Sequence, residues 1–434
     1  MLEMNVGVRS YRDLLRSEPL ARAYLLGNLI DDLGVAVSLW AMQLLQTELM
    51  TDQHARAAIV VPVLGAMILG SLLSGRLTDG SGMLDRAALH RRRYRVLFYG
   101  RLAETMTLGL LVMLLATGPI TVARIIPYAV VSGFLKTALR PTKLAFSADI
   151  LAREESFPLL SALLSQAGSL ATLLGLVFGG ALLAAVHGRS HWLFAFDVLT
   201  NVAFLGALYA CRVHPEGRAS TAAVAVTPPK QGALRFLAKH RLLLWTLLGA
   251  WLVEMVAELY DGRMMVRHVL GGTAENVRWA ELSWSIVTMA LVASVPWLLR
   301  RGVRPERLFL AALAMDAVVM IAAGRMAMAP GAVLAFGTLL AFDRGLTSVA
   351  GVACDVVQVR GTPAELRGRV AGAFQILVLV TAIFAEGIAT AVSDAVGIPR
   401  LVLGAGLVQG FVALAAGAVL LVRVRRNVGY SLAP

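Results

Sequence analysis

Cysteine is almost missing from this chain and charge is scarce. Only 2 of its 434 residues are cysteine. Cys211 and Cys354 both fall near predicted helix ends on the cytoplasmic side, so no disulfide framework is expected. Charged residues make up 15% of the chain, where a soluble protein of ordinary composition carries about 25%. Several signatures of chemistry are also lacking. There is no phosphate-cradling G-x-x-x-x-G-K-S/T, no H-E-x-x-H, and no plausible Ser-His-Asp arrangement. The chain therefore reads as neither an ATPase nor any other enzyme, and no cofactor, catalytic residue or resident metal is expected. His187 and His191, four apart, could chelate a metal on a helix, but their short loop beside Gly188 and Ser190 predicts solvated side chains.

What the chain has instead is apolar length: 58% of its residues are hydrophobic. A bilayer core is crossed by about 20 apolar residues. Twelve runs meet this need: 23–47, 57–77, 96–117, 120–148, 159–186, 191–211, 241–262, 278–299, 307–328, 331–357, 368–393 and 398–422. Each must satisfy its own backbone hydrogen bonds in lipid, which predicts twelve transmembrane helices and an all-α membrane protein. Residues 1–20 carry Arg9, Arg12, Asp13, Arg16 and Glu18 with no apolar core of the signal-peptide kind. They predict a short amphipathic segment at the cytoplasmic face.

The net charge of +13 invites a nucleic-acid reading, but the basic residues lie in the wrong places for one. With twelve spans and both termini inside, cytoplasmic segments hold 30 of the 40 Lys and Arg, and external segments hold eight. This asymmetry orients the chain with both termini in the cytoplasm, as expected of a multi-pass protein of a bacterial inner membrane. Its basic surface meets anionic lipid rather than nucleic acid. The densest patch is Gly75–Arg95, with Arg76, Arg86, Arg91, Arg92, Arg93 and Arg95 in one connection.

Six spans precede residue 212 and six follow residue 240. The connection holds Pro215, Pro228 and Pro229 and ends in a basic amphipathic tail from Arg235 to Arg241. The expected organisation is an N-terminal six-helix bundle (1–211), a cytoplasmic linker (212–240) and a C-terminal six-helix bundle (241–434). REESFPLLSALLSQ at 153–166 and PAELRGRVAGAFQ at 363–375 lead into spans at equivalent places in the two halves, as an internal duplication would.

The patch at Gly75–Arg95 also carries Gly75, Asp79 and Gly82 as G-x-x-x-D-x-x-G, although Met83–His90 separate the last glycine from the arginine run. This resembles the loop between the second and third spans of major facilitator superfamily transporters. Arg140-Pro141, Arg153-Glu154-Glu155 and the run Pro363, Glu365, Arg367, Gly368, Arg369, Val370 resemble the drug and siderophore exporter branch, that of the enterobactin exporter and Tap-like pumps. Gly168 and the sequence Gly175-Leu-Val-Phe-Gly179-Gly180 resemble that family's glycine-rich antiporter motif, with Leu176 where a proline stands in the pattern. Small residues at such spacing also let two helices approach closely, whatever the direction of transport. The resemblance implies two pseudo-symmetric six-helix bundles, a small-molecule substrate, proton antiport, a monomer, and gating roles for Gly75, Asp79, Gly82, Gly175, Gly179, Gly180, Arg367 and Arg369. Asp79 in particular is implied to hold one conformation by contacting neighbouring helices.

Ionisable groups inside spans cost about 2.5–3.5 kcal/mol each at a helix centre, so they face a cavity or a partner. Asp31 and Asp32 lie in the first span with Asn28, Ser38 and Gln43. Neighbours on a helix point about 100° apart, which stacks Asp32 with Asn28 and Gln43, and Asp31 with Ser38. A carboxylate here can load and release a coupling proton. In the seventh span Glu254, Glu258 and Asp261 share one face, with Met265 near them and Arg263 opposite, and suit a cation or a second proton. Asp197 and Asn201 sit one turn apart in the sixth span. Arg101 and Glu104 fit an i, i+3 pair in the third. Arg344 needs a counter-charge, for which Glu386 and Asp316 are candidates, and Asp343 adjoins it. The expected function is proton-coupled export of a drug, siderophore or metabolite by alternating access. The alternative is divalent metal export of the ferroportin kind, for which soft and imidazole ligands are largely missing; a polytopic membrane enzyme or receptor is the remoter choice.

Overall fold

A computed structural model describes residues 11–49, 53–79, 86–118, 121–152, 156–186, 189, 191–213, 233–258, 274–329, 332–397, 399–400 and 402–415. Among these residues there is no strand, and each of the twelve apolar runs lies on a helix. In chain order these are α1 (Tyr11–Ser17), α2 (Pro19–Leu49), α3 (Gln53–Asp79), α4 (Arg86–Ala116), α5 (Val122–Asp149), α6 (Phe157–Ala185) and α7 (His191–Ala210). Next come α8 (Ala233–Lys239), α9 (Arg241–Glu258), α10 (Ala274–Arg300), α11 (Pro305–Met326) and α12 (Val333–Gly361). A 3₁₀ turn (Ala364–Leu366), α13 (Arg367–Val396) and α14 (Val402–Ala415) complete the chain. Among the described residues, six of these helices are long and apolar enough to cross a membrane on length and composition alone, those at 87–116, 157–179, 191–210, 282–300, 305–326 and 333–361. The short α1 is the amphipathic segment expected near the N-terminus, docked by buried Leu14 and by Tyr11 Oη, which lies 3.3 Å from Gln166 Nε2.

The chain divides into two compact units. The first comprises Met1–Lys239 with Gln358–Val380, and the second His240–Val357 with Thr381–Pro434. In the first unit α2 packs against α6 and α7, α3 against α5, and α4 against α5 and α7. One core patch joins Val37, Leu108, Leu111, Leu115, Ile125, Leu193 and Phe194. The opposite face of α4 is no more polar: Met106, Leu110 and Met113, successive on one stripe, are exposed. A helix apolar on its outer face and packed on its inner one is solvated by lipid, not water. The second unit gathers Ala280, Met320, Ala323, Phe336, Leu340, Val402 and Ala405 from α10, α11, α12 and α14.

Local chemistry accounts for the helix ends. After α10, Gly302 adopts φ +84°, and its N–H bonds Leu299 O at 3.1 Å while Val303 N–H bonds Leu298 O at 3.1 Å. That is a Schellman stop, which needs a residue without Cβ at the left-handed position. Pro305 then opens α11 at its first turn, where a missing N–H costs nothing. Pro141 lies inside α5 and does not end it. The helix runs on to Asp149, and that extension places Asp149 among the charges described next.

Candidate functional site

Two arginines of α4 organise the charged interior of the first unit. Arg93, completely buried, is clamped between two carboxylates: Nη2 donates to Asp79 Oδ1 at 2.9 Å and Nη1 to Asp149 Oδ2 at 2.8 Å. Nη2 also donates to the carbonyl of Ala364 in the 3₁₀ turn. Asp79, the last residue of α3, also accepts two backbone amides from one helix end: Gly368 N–H reaches Oδ1 at 3.1 Å and Arg369 N–H reaches Oδ2 at 2.7 Å. These are first-turn amides of α13, so an anion sits where a helix N-terminus binds one. Burial pushes the Asp79 carboxyl above its ordinary range, opposed by the Arg93 guanidinium and by the two backbone amides.

The approach that makes this possible needs glycine. A Cβ on Gly368 would overlap Thr78, and one on Gly75 would lie 3.0 Å from the Arg369 Cα. Arg367 acts differently from its neighbours. Its side chain turns back to cap the end of α12, with Nη2 donating to Val359 O at 2.9 Å and Nε to Val359 O at 3.2 Å and Thr362 O at 3.3 Å. Thus Gly75, Asp79, Arg367 and Arg369 come together in the first unit, while Gly82 lies outside the described residues. The separation of Gly82 from the arginine run does not break the arrangement, because Arg93, about two turns into α4, supplies the cation. Sequence reasoning missed Asp149 and the role of Arg93. The signal for both was present: an aspartate and an arginine at the ends of otherwise apolar helices.

The second arginine, Arg101, lies two turns deeper on α4. Its Nη2 donates to Asp31 Oδ2 at 2.8 Å and its Nη1 to Glu104 Oε2 at 2.8 Å. The Arg101–Glu104 pair is the one expected from spacing; the pairing with Asp31 was not. Asp31 is 1% exposed, yet its Oδ1 has no hydrogen-bond partner among the described residues, and neither has Asn28 Oδ1. The guanidinium also lies 5.2 Å from the centroid of the Phe204 ring. Asp32 points elsewhere. Its carboxylate is half-buried, with Oδ2 3.5 Å from the Cβ position of Gly168 on α6, and Lys143 and Arg101 close enough to act on it.

The predicted stacking along α2 is corrected in detail. Asn28 turns its amide to Tyr24 O at 2.8 Å instead of joining Asp32, and Ser38 faces Asp197 instead of Asp31. The reason is that α7 lies closer to α2 than helical stacking alone can show. Gly34 leaves room for Thr200, whose Oγ1 a Cβ would overlap, and brings Asp197 Oδ1 within 2.8 Å of that position. Asn201 then donates to Asp197 Oδ1 at 3.0 Å, the one-turn pairing expected from sequence. Gly175 supports α2 from the other side, where a Cβ would collide with Ala36. Gly179 is buried on the same helix, and the surroundings of Gly180 lie outside the described residues.

In the second unit the described ionisable groups centre on Asp316 of α11. Gln409 Nε2 of α14 donates to Asp316 Oδ2 at 2.6 Å, and the Asp343 carboxyl of α12 is within hydrogen-bonding reach. Arg344, for which Asp316 was a candidate counter-charge, lies 5.9 Å from the Trp284 ring centroid and acts on Asp316 from nearby. The side chains of Glu254, Glu258, Glu365 and Glu386 lie outside the described residues, as do Asp261, Arg263, Met265, Arg153, Glu154, Glu155, His187, Ser190 and the linker residues 214–232. His191 is described and lies against the Trp192 ring, 5.6 Å between centroids.

Long apolar helices with charges held in pairs within them describe a polytopic membrane protein. A sequence profile of the Major Facilitator Superfamily matches residues 24–386. The chain belongs to that superfamily. Solved structures of the same fold include a bacterial homologue of the iron transporter ferroportin in an outward-facing state, at 13% identity and TM-score 0.67, covering 92% of this chain and 99% of that one. The proton:xylose symporter XylE matches at 14% identity and TM-score 0.66, over 91% of this chain and 94% of its own. The human organic anion transporter MFSD10 matches at 16% identity and TM-score 0.61, over 91% and 98%. No curated protein sequence matches the chain.

Proposed function

We propose that this chain is a proton-coupled secondary transporter that exports a small organic compound by alternating access. It works in a bacterial inner membrane with both termini in the cytoplasm. The observation that carries the reading is the Asp31–Arg101–Glu104 cluster with Asp32 beside it in the interior of α2 and α4. One Asp31 oxygen is buried without a donor among the described residues, and the half-buried Asp32 points to another helix. A carboxylate taken from water with its bonding unfinished gains a partner when it binds a proton, and a cationic substrate competes for the same charge. Proton and substrate then favour different states, and only such a difference can drive a transport cycle. Asp197 with Asn201, and Glu254 with Glu258, are the next candidates to line the path. Asp79 and the first turn of α13 serve as the lock of one conformation, with Gly175, Gly179 and Gly180 as the close-packing seam of export.

A metal-export reading has one observation in its favour, the fold shared with a bacterial ferroportin homologue whose structure was also determined with soaked iron. The organic reading is preferred because it rests on a site of this chain, the Asp31–Arg101–Glu104 cluster, and the metal reading on the shared fold alone.

The test is proton movement in liposomes containing purified protein. Tetraphenylphosphonium and ferrous iron serve as probes, and wild type is compared with Asp31→Asn, Asp32→Asn and Glu254→Gln. Proton release on adding the organic cation, abolished by one substitution, supports antiport and names the coupling acid. Binding without proton exchange in any variant sinks the coupling. Iron-dependent flux without response to the organic cation turns the reading to metal export.

A further inference from the structure

A second buried polar node lies in the other unit, and the reading above does not use it. Asp316, Asp343 and Gln409 come from three different helices and are 2%, 6% and 0% exposed. Gln409 donates to one oxygen of Asp316, and the Asp343 carboxyl lies within hydrogen-bonding reach of Asp316. Two buried atoms of this node find no hydrogen-bond partner among the described residues: Asp316 Oδ1 and Gln409 Oε1. Ionised carboxylates only accept, so a contact between two of them becomes a bond only when a proton lies between. Two like charges in contact away from water are the arrangement in which one proton is shared. The facing charges agree with this count. Among the described residues Arg344 is the cation that acts on Asp316, so one shared proton leaves a single negative charge opposite a single positive one.

We infer that Asp316 and Asp343 form a proton-binding site in the second unit, holding one exchangeable proton between their carboxyl groups with Gln409 as its positioning donor. When the proton leaves, the two carboxylates repel across α11 and α12, and the Gln409 amide and Arg344 remain as counter-dipole and counter-charge. Proton occupancy is thereby tied to the packing of α11 against α12 and α14. The site adds a titrating group to the proton-coupled reading and rests on it for its role in transport, but its existence does not depend on Asp31 or Asp32.

The test is infrared difference spectroscopy of the full-length protein in lipid bilayers as pH is raised. Wild type is compared with Asp316→Asn, Asp343→Asn and Gln409→Leu, each first checked for a cooperative thermal transition. The expected result in wild type is a protonated-carboxyl C=O band that shifts in heavy water and disappears as pH rises. Asp316→Asn and Asp343→Asn should each abolish it, and Gln409→Leu should move its frequency without removing it. A band unaffected by both asparagine variants overturns the proposal, as does a band that persists at every pH, which would mark a fixed structural proton. Liposomal proton release is read in parallel. Infrared loss with no proton movement in wild type would refute the transport reading while leaving this site intact.

Discussion

Arg93 and Arg101 stand on the same helix and each is held between two acids, yet the two clusters are built to different ends. Arg93 is wholly buried, and both oxygens of its partner Asp79 are occupied, by the guanidinium and by two amides of α13. Arg101 keeps 13% of its side chain exposed, and Asp31 leaves one oxygen without a partner among the described residues. A cluster with its acceptors filled resists change. A cluster with an acceptor to spare can take up a proton at small structural cost. The first suits the lock proposed above and the second the proposed exchange site. The difference lies in what surrounds each arginine, since the residue types are nearly the same.

The sharpest way to break the comparison is to remove each arginine. Arg93→Ala strands two buried carboxylates and should lower stability by about 3–5 kcal/mol, read as a fall in the thermal midpoint of the purified protein. A loss no larger than that of Arg101→Ala would show that the two clusters carry the same structural weight. Asp79→Asn keeps the shape but removes the charge facing the α13 amides and Arg93. Such charge-assisted bonds contribute about 1.5–3 kcal/mol each, so the α3–α13 contact should open measurably. A spin-label distance between α3 and α13 checks this, and an unchanged distribution removes the lock. Gly34→Leu pushes α7 from α2 and should cost about 1–3 kcal/mol by overpacking. It should also separate Ser38 from Asp197, weakening proton release in liposomes while leaving the Asp79 contact intact. Asp31→Asn has the smallest structural effect, about 1 kcal/mol as for an ordinary substitution, because Glu104 still pairs with Arg101. Its thermal midpoint should stay near that of wild type while proton release falls, and a fall in both would make Asp31 a structural residue.

The twelve helices were legible because apolar length and the demand for internal hydrogen bonding leave one solution in lipid. So was Asp79, through the spacing of its loop, and so were the Arg101–Glu104 and Asp197–Asn201 pairs, which are one turn apart on single helices. The partners across helices were not legible. Asp31 was placed with Ser38 by helical stacking, and the structure gives it to Arg101, 70 residues away in sequence. Asp149 and Gln409 carried only the weak signal of an isolated polar residue in or beside an apolar run.

By itself the sequence determined the class of protein, its all-helical fold, and which residues are too polar to face lipid. Those follow from composition and from periodicity, which act along the chain. The tertiary structure decided which acid meets which base, which oxygens stay unfilled, and that the first turn of α13 receives the carboxylate of Asp79. Such pairings depend on where glycines let helices touch, as Gly34 does against Thr200 and Gly368 against Thr78. A contact between helices is set by the shape of both surfaces, and no one stretch of sequence contains both.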